Sequence, residues 1–78
     1  MIIHNASIED YGIGLGIVHD DGFIPISYNT GRLLQDYLKL MINDKHKILS
    51  FLSDEIGELQ FSREEAIKIY KKLLEIDR

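Results

Sequence analysis

The sequence contains no cysteine and no tryptophan, and it has a single proline among 78 residues. Without cysteine the chain cannot form a disulfide, a thiolate metal site or a thiol nucleophile. This composition is typical of a reducing compartment, so we expect a cytoplasmic protein. No apolar run approaches the roughly 20 residues that span a bilayer, and residues 1–11 lack the basic start of a signal peptide. We therefore expect one small domain over residues 1–78 that does not contact a membrane.

Lysine and arginine are missing from residues 1–31, which hold four acidic residues: Glu9, Asp10, Asp20 and Asp21. The formal net charge of the whole chain is −4. Nucleic-acid affinity depends largely on Lys and Arg that neutralise phosphates and release counterions. An acidic surface instead attracts basic protein partners and speeds their association. The charge pattern therefore makes nucleic acid an unfavourable partner and favours a larger protein with a basic site.

Sequence motifs of the common catalytic classes are also missing. The chain has no G-x-S-x-G, H-E-x-x-H or P-loop. Residues 12–16 read G-x-G-x-G, but a dinucleotide-binding fingerprint needs G-x-G-x-x-G between a strand and a helix. Residues 19–21, His-Asp-Asp, are consecutive across a predicted turn, and such residues rarely converge on one metal. We expect no catalytic, metal-binding or cofactor-binding residues, no enzymatic activity and no small-molecule substrate.

Apolar residues alternate with small or polar ones over residues 13–28. Strict alternation is typical of a β-strand, and the Asp-Gly pair in the middle is a strong turn signal because both residue types tolerate positive φ. The pattern predicts a hairpin with Ile17 opposite Ile26. Glycines at positions 14 and 16 strip one strand face of side chains, which leaves room for an aromatic ring of this chain or for a partner. Whether residues 2–8 add a third strand is left open.

In residues 32–56 apolar side chains recur every three or four positions, a spacing typical of amphipathic helices. The pair Asn43-Asp44 interrupts the pattern, and the sequence leaves open whether it forms one helix or two. A continuous helix would present a seam of 3.5-residue period, which favours dimerisation. We expect two helices, with Asp44 as the N-cap of the second.

Residues 61–65, Phe-Ser-Arg-Glu-Glu, predict the start of a last helix. In a capping box, the Ser62 side chain accepts from the Glu65 amide and the Glu65 side chain reaches back. No internal repeat is apparent. The predicted fold class is α+β: an N-terminal β-hairpin or small antiparallel meander, followed by two or three helices packed on its apolar face.

These features favour a small non-enzymatic protein-binding regulator or inhibitor. It would be an antitoxin-like factor, or one encoded by a phage or another mobile element, that covers a basic site on a larger protein through an acidic N-terminal β-surface. Aromatic side chains are enriched at binding hot spots, although acidic turns also serve simply to keep edge strands soluble. The predicted contact residues are Asp10, Tyr11, Asp20, Asp21 and Phe23.

Two other functional classes stay open. One is a structural homo-oligomer, a homodimer included, that assembles through the glycine face or the helical seam. The other is a nucleic-acid-binding protein, which should show binding that weakens steeply with salt.

Overall fold

The chain folds into two antiparallel sheets and two helices, as described by a computed structural model of residues 1–76. The first sheet has the strand order β1-β2-β3, and the second consists of β4 and β5. The α+β class is as predicted, but strands also lie between the helices. The elements in chain order are β1 (Ser7–Asp10), β2 (Leu15–His19), β3 (Gly22–Ile26), α1 (Tyr28–Met41), β4 (Ile48–Ser53), β5 (Gly57–Ser62) and α2 (Arg63–Ile76).

The N-terminal segment joins the two sheets. Its later part forms β1 and pairs antiparallel with β2. Its first residues reach the second sheet, where Ile2 forms a parallel bridge with Gln60. The amide of Ile3 donates to the Gln60 carbonyl at 2.9 Å. The open question about residues 2–8 is therefore answered by a strand that begins at Ser7 and a separate bridge at Ile2.

The predicted hairpin exists as β2–β3, but its predicted register is wrong by two residues. Ile17 lies opposite Ile24 and not Ile26. The strands are joined by a two-residue turn at residues 20–21. A slip of two residues keeps each side chain on its predicted face, because side chains alternate with a period of two.

Residues 48–62 contradict the prediction of a second helix. They form β4 and β5, so Asp44 is not the N-cap of a helix, and the continuous helical seam is not formed. Leu49 and Phe51 are buried, while the side chain of Leu52 is exposed. Burial thus alternates with a period of two, as in a strand. The prediction failed because exposed apolar residues in β4 fill the gaps and imitate helical spacing.

The two halves of the chain repeat one structural unit, a hairpin followed by a helix of 14 residues. From the second strand of each hairpin onward, equivalent residues lie 35 positions apart. Few of them are identical, which is why no repeat is apparent in the sequence. The correspondence is clearest in burial: Gly31, Leu34 and Leu38 are buried in α1, and their equivalents Ala66, Ile69 and Leu73 are buried in α2.

Each half supports the start of the helix in the other half. Ser27 is the N-cap of α1, and its hydroxyl accepts from the Thr30 amide at 3.1 Å. Glu55, in the turn of the second hairpin, accepts from the Ser27 amide at 2.6 Å and from the Thr30 hydroxyl at 2.6 Å. At the start of α2, the Glu65 carboxylate accepts from the Asn5 and Ala6 amides of the first half, both at 2.9 Å. The capping interactions thus tie the two halves together.

One of the two hydrogen bonds of the predicted capping box forms at the start of α2, and the other does not. The Ser62 hydroxyl accepts from the Glu65 amide at 3.2 Å, as in a capping box. The Glu65 carboxylate does not reach back to Ser62, since it accepts from the amides of Asn5 and Ala6, both at 2.9 Å, and pairs with Lys68 at 3.0 Å. Burial alone would raise the pKa of Glu65, but the bonds from Ala6, Lys68 and Asn5 outweigh it and lower the pKa.

Glu65→Gln should lower the free energy of unfolding at neutral pH by about 1–3 kcal/mol, because a buried amide loses its acceptor. A carboxylate with a depressed pKa stabilises the fold above its ordinary pKa of 4.5 and loses this contribution as the pH falls through the folded-state value. Urea unfolding measured from pH 7 to pH 3 should therefore show a shallower decline for the variant. The exposed neighbour Glu64→Gln is the control. Equal declines in all three proteins would contradict this account.

The apolar residues buried in residues 1–76 form one cluster, to which both halves contribute. Its largest fully buried side chain is Phe61 of β5. Burial of this shared core is the main term that stabilises a chain of this length. None of the helices within residues 1–76 is long and apolar enough to cross a bilayer.

Candidate functional site

The three-stranded sheet leaves one of its faces outside the core. In the antiparallel register, side chains that lie opposite each other share a face, and Glu9, Gly16 and Pro25 are such cross-strand partners. The opposite face carries Ile8 and Ile17, both fully buried. The strand residues of the outer face are Ser7, Glu9, Gly16, Val18, Phe23 and Pro25.

Two aromatic rings cover Gly16 on this face. Tyr11 and Phe23 meet edge to face, with ring centroids 5.6 Å apart and planes at 79°. A Cβ atom at Gly16 would lie 2.2 Å from the Phe23 ring and 2.8 Å from the Tyr11 ring. Of the two explanations for the alternate glycines, the first therefore holds at Gly16: its missing side chain makes room for rings of this chain.

An apolar groove of about 650 Å³ runs beside the two rings. We call it the aromatic groove; it is lined by Tyr11, Ile13, Gly14, Leu15, Phe23, Pro25, Ile26, Ser27 and Glu55. Three of its apolar side chains are strongly exposed: Ile13 (95%), Tyr11 (55%) and Phe23 (50%). Such an exposed apolar concavity on a small chain is typical of an interaction site.

Glu55 is the single charged residue among the described residues that line the aromatic groove. It receives hydrogen bonds from the Thr30 hydroxyl (2.6 Å), the Ser27 hydroxyl (2.8 Å) and the Ser27 amide (2.6 Å). These bonds lower the pKa of Glu55 below its ordinary value, with the Thr30 bond contributing most. The groove therefore ends at a carboxylate that is held in place and ionised at neutral pH.

The five predicted contact residues do not lie together. Tyr11 and Phe23 meet as described. Asp10 lies opposite Leu15 in the register and so lies on the other face of the sheet from Phe23. Its carboxylate accepts from the Tyr28 hydroxyl at 2.6 Å, and this bond, more than burial or charge, raises the pKa of Tyr28.

Asp20 and Asp21 form the β2–β3 turn, and neither lines the aromatic groove. The carboxylate of Asp20 is bonded to Asn5, and the amide of Asp21 donates to the ring of His19 at 3.3 Å. These contacts give both residues a role in the local structure of the turn. They do not test whether the turn also contacts a partner.

Sequence reasoning did not select Ile13, Pro25 and Glu55 as contact residues. The strand alternation does place Pro25 on the same face as the glycines, so this signal was present. Ile13 was taken as a strand residue, yet it lies before β2 and is almost wholly exposed. No sequence signal brings Glu55 to the groove, because it is 28 positions from its partner Ser27.

Gly16→Ala should displace the Phe23 ring, since the new Cβ atom and the ring cannot occupy the same space. We expect a loss of about 1–3 kcal/mol in the free energy of unfolding, as for other overpacked sites. The half-exposed ring can move outward, so the fold should persist. Proton NMR should show the Tyr11 ring signals shifting as the edge-to-face contact is lost. Unchanged Tyr11 signals would contradict the described packing.

The internal repeat provides a comparison for the surface positions of the groove. Phe23 corresponds to Glu58 in the second half, and Pro25 corresponds to Gln60. The same structural unit thus forms with polar residues at these positions, so the fold does not require apolar ones there. Comparison of the chain with protein-family models, curated proteins and solved structures found no match.

Proposed function

We propose that this chain is a small non-enzymatic protein-binding module, a regulator or inhibitor acting in the cytoplasm. Its binding surface is the aromatic groove. The partner is a protein that offers apolar side chains to the groove and a basic group to its acidic end. Residues 1–76 also contain other grooves. The aromatic groove combines apolar walls with a fixed carboxylate, and this combination suits a protein partner.

The observation that carries this proposal is the exposure of Ile13, Tyr11 and Phe23 around one groove. Exposing apolar side chains to water is unfavourable by about 25 cal/mol per Å². The repeat comparison supports a role outside folding, because the equivalent of Phe23 is a glutamate. Aromatic side chains in such settings are the residue types that dominate binding energies.

Charge supports a basic partner. The groove ends at Glu55, and Glu9 lies on the same sheet face as the rings. Residues 1–31, which form that sheet, hold no lysine or arginine. Opposite charges across an interface steer the partner and fix its orientation. Asp20 and Asp21 are also proposed to contribute to this steering. Their negative charges at the β2–β3 turn add to the electrostatic potential that attracts a basic partner.

A second candidate function is self-association. Leu33 and Leu40 on α1 are 51% and 79% exposed, and their equivalents on α2 are Lys68 and Glu75. An apolar outer face on one helix alone is a known basis for dimers. Analytical ultracentrifugation separates the candidates: a dimer that Leu40→Ser dissociates supports self-association, and a monomer at high micromolar concentration rejects it.

Affinity capture from a lysate of the source organism tests the proposed function. We expect Ile13→Ser, a change at an almost fully exposed position, to reduce the amount of the captured partner while leaving the fold intact. Leu74→Ser, on the exposed side of α2, is the control and should capture as the wild-type chain does. A partner captured equally by all three proteins would bind elsewhere, and the aromatic groove would not be the binding surface.

A further inference from the structure

Glu55 lies between the aromatic groove and a second groove. The second groove, of about 440 Å³, runs between α1 and β4, and we call it the α1–β4 groove. Its apolar wall consists of Leu33 and Leu52, which are 51% and 77% exposed. Glu55 lines both grooves, so the two form one continuous surface with a carboxylate at its centre.

The charges along this surface have one sign. Asp54 and Glu55 are the charged residues among the described residues that line the two grooves, and neither lysine nor arginine is among them. Oε1 of Glu55 accepts one bond, from the Ser27 amide. A carboxylate oxygen can accept two hydrogen bonds, so this oxygen can also receive a bond from a partner.

The outer edge of β3 is poorly suited to pairing with a partner strand. The Tyr11 amide donates to the Gly14 carbonyl at 2.9 Å, and bonded and non-bonded pairs alternate along antiparallel strands. Gly16 therefore bonds to Glu9 of β1, and the nitrogen of Pro25, opposite Gly16, faces away from β2. Because proline has no N–H to donate, the free edge is interrupted there. A partner that binds beside this edge therefore relies on side chains in the grooves.

We propose that the partner presents a lysine or arginine between two apolar side chains. The cation binds Glu55, one apolar side chain enters the aromatic groove, and the other enters the α1–β4 groove. This inference rests on the proposed function and adds the chemistry of the partner. The repeat comparison supports a binding role for Leu33, as it does for Phe23. The equivalent of Leu33 in the second half is Lys68, so the fold accepts a charge at that position.

Selection from a displayed library of random 12-residue peptides tests this inference, with the full chain immobilised. We expect the enriched peptides to carry Lys or Arg flanked by aromatic or aliphatic residues. Replacing that cation by glutamine in a synthetic peptide should weaken binding about ten-fold or more, the effect of removing one partner of a hydrogen-bonded charge pair. The peptide comparison uses the unchanged protein. A weaker binding therefore cannot result from a disturbed start of α1.

Protein variants locate the bound cation. Glu55→Gln, checked for folding by circular dichroism, should abolish the advantage of the cationic peptide over its glutamine version. Glu58→Gln, an acid outside both grooves, should preserve it. Peptides that bind in the aromatic groove, shown by their loss on Phe23→Glu, but carry no enriched cation would overturn this inference alone. Failure to select any peptide, or selection of peptides indifferent to Phe23→Glu, would overturn the proposed function as well.

Discussion

Leu38→Ala and Leu73→Ala should each lower the free energy of unfolding by about 2–5 kcal/mol, the range for buried leucines. The two residues occupy equivalent positions in α1 and α2 and are 0% and 2% exposed. At about 0.05–0.15 kcal/mol per residue, the whole chain is stabilised by only some 4–12 kcal/mol. Either change therefore removes a large part of the stability, and the two should do so to a similar extent.

Both variants should unfold in one transition, because the halves share one core and are joined by hydrogen bonds at the start of each helix. Urea unfolding followed by circular dichroism and by tyrosine fluorescence measures this, since coincident curves indicate a single transition. Leu40→Ala, at a position 79% exposed, is the control and should change stability by less than about 0.5 kcal/mol. Separate transitions for the two probes would show that the halves are independent, contrary to the shared core.

Phe23→Glu should weaken partner binding by about 30-fold or more, as expected for a hot-spot aromatic that contributes about 2 kcal/mol. The change removes a half-exposed ring from the wall of the aromatic groove and replaces it with a polar group that an apolar side chain of the partner cannot pack against. The lost aromatic pair is worth about 0.5–1.5 kcal/mol beyond its buried area, so the fold should persist. Position 58 in the second half already holds glutamate, so the strand tolerates this residue.

Isothermal titration calorimetry with the captured partner measures this effect. Leu74→Glu is a matched control, because Leu74 is 48% exposed against 50% for Phe23 and lies on α2, outside both grooves. It introduces the same charge and should leave the affinity within about two-fold, as surface changes away from a contact do. If both variants weakened binding equally, the loss would not be specific to the aromatic groove, and the groove would not be the binding surface.

Local signals in the sequence predicted the elements that depend on them. The Ser62 cap of α2 is confirmed by its bond to the Glu65 amide, and the Asp-Gly pair marks the β2–β3 turn correctly. The other half of the capping box could not be predicted. The Glu65 carboxylate binds the amides of Asn5 and Ala6, about 60 residues away, and no local pattern indicates such a contact.

The strand β4 was hidden by its exposed apolar residues. Inward-facing Leu49 and Phe51 alternate with Ser50 and Leu52, but Leu52 is apolar although it is 77% exposed. Apolar residues on both faces destroy the alternation by which a half-buried strand is identified. The strand conformation is fixed by tertiary contacts instead, among them the bridge from Ile2 to Gln60.

The candidate site was predictable only in its aromatic part. Tyr11 and Phe23 were selected for their residue type, and the glycine beside them indicated a bare sheet face. The acidic residues were selected from the charge of residues 1–31, but charge patterns do not report which face a side chain occupies. Asp10 lies across the sheet from the rings, and the carboxylate at the groove, Glu55, comes from the other half of the chain.

The central claim is that the aromatic groove binds the partner, and amide chemical-shift mapping by NMR tests it most directly. The 15N-labelled chain would be titrated with the captured partner or with a selected peptide. We expect the largest shifts at Tyr11, Ile13, Gly16, Phe23 and Ile26, with little change on the outer face of α2. Shifts concentrated on α2 or on the outer face of α1, with the groove amides unmoved, would contradict the claim.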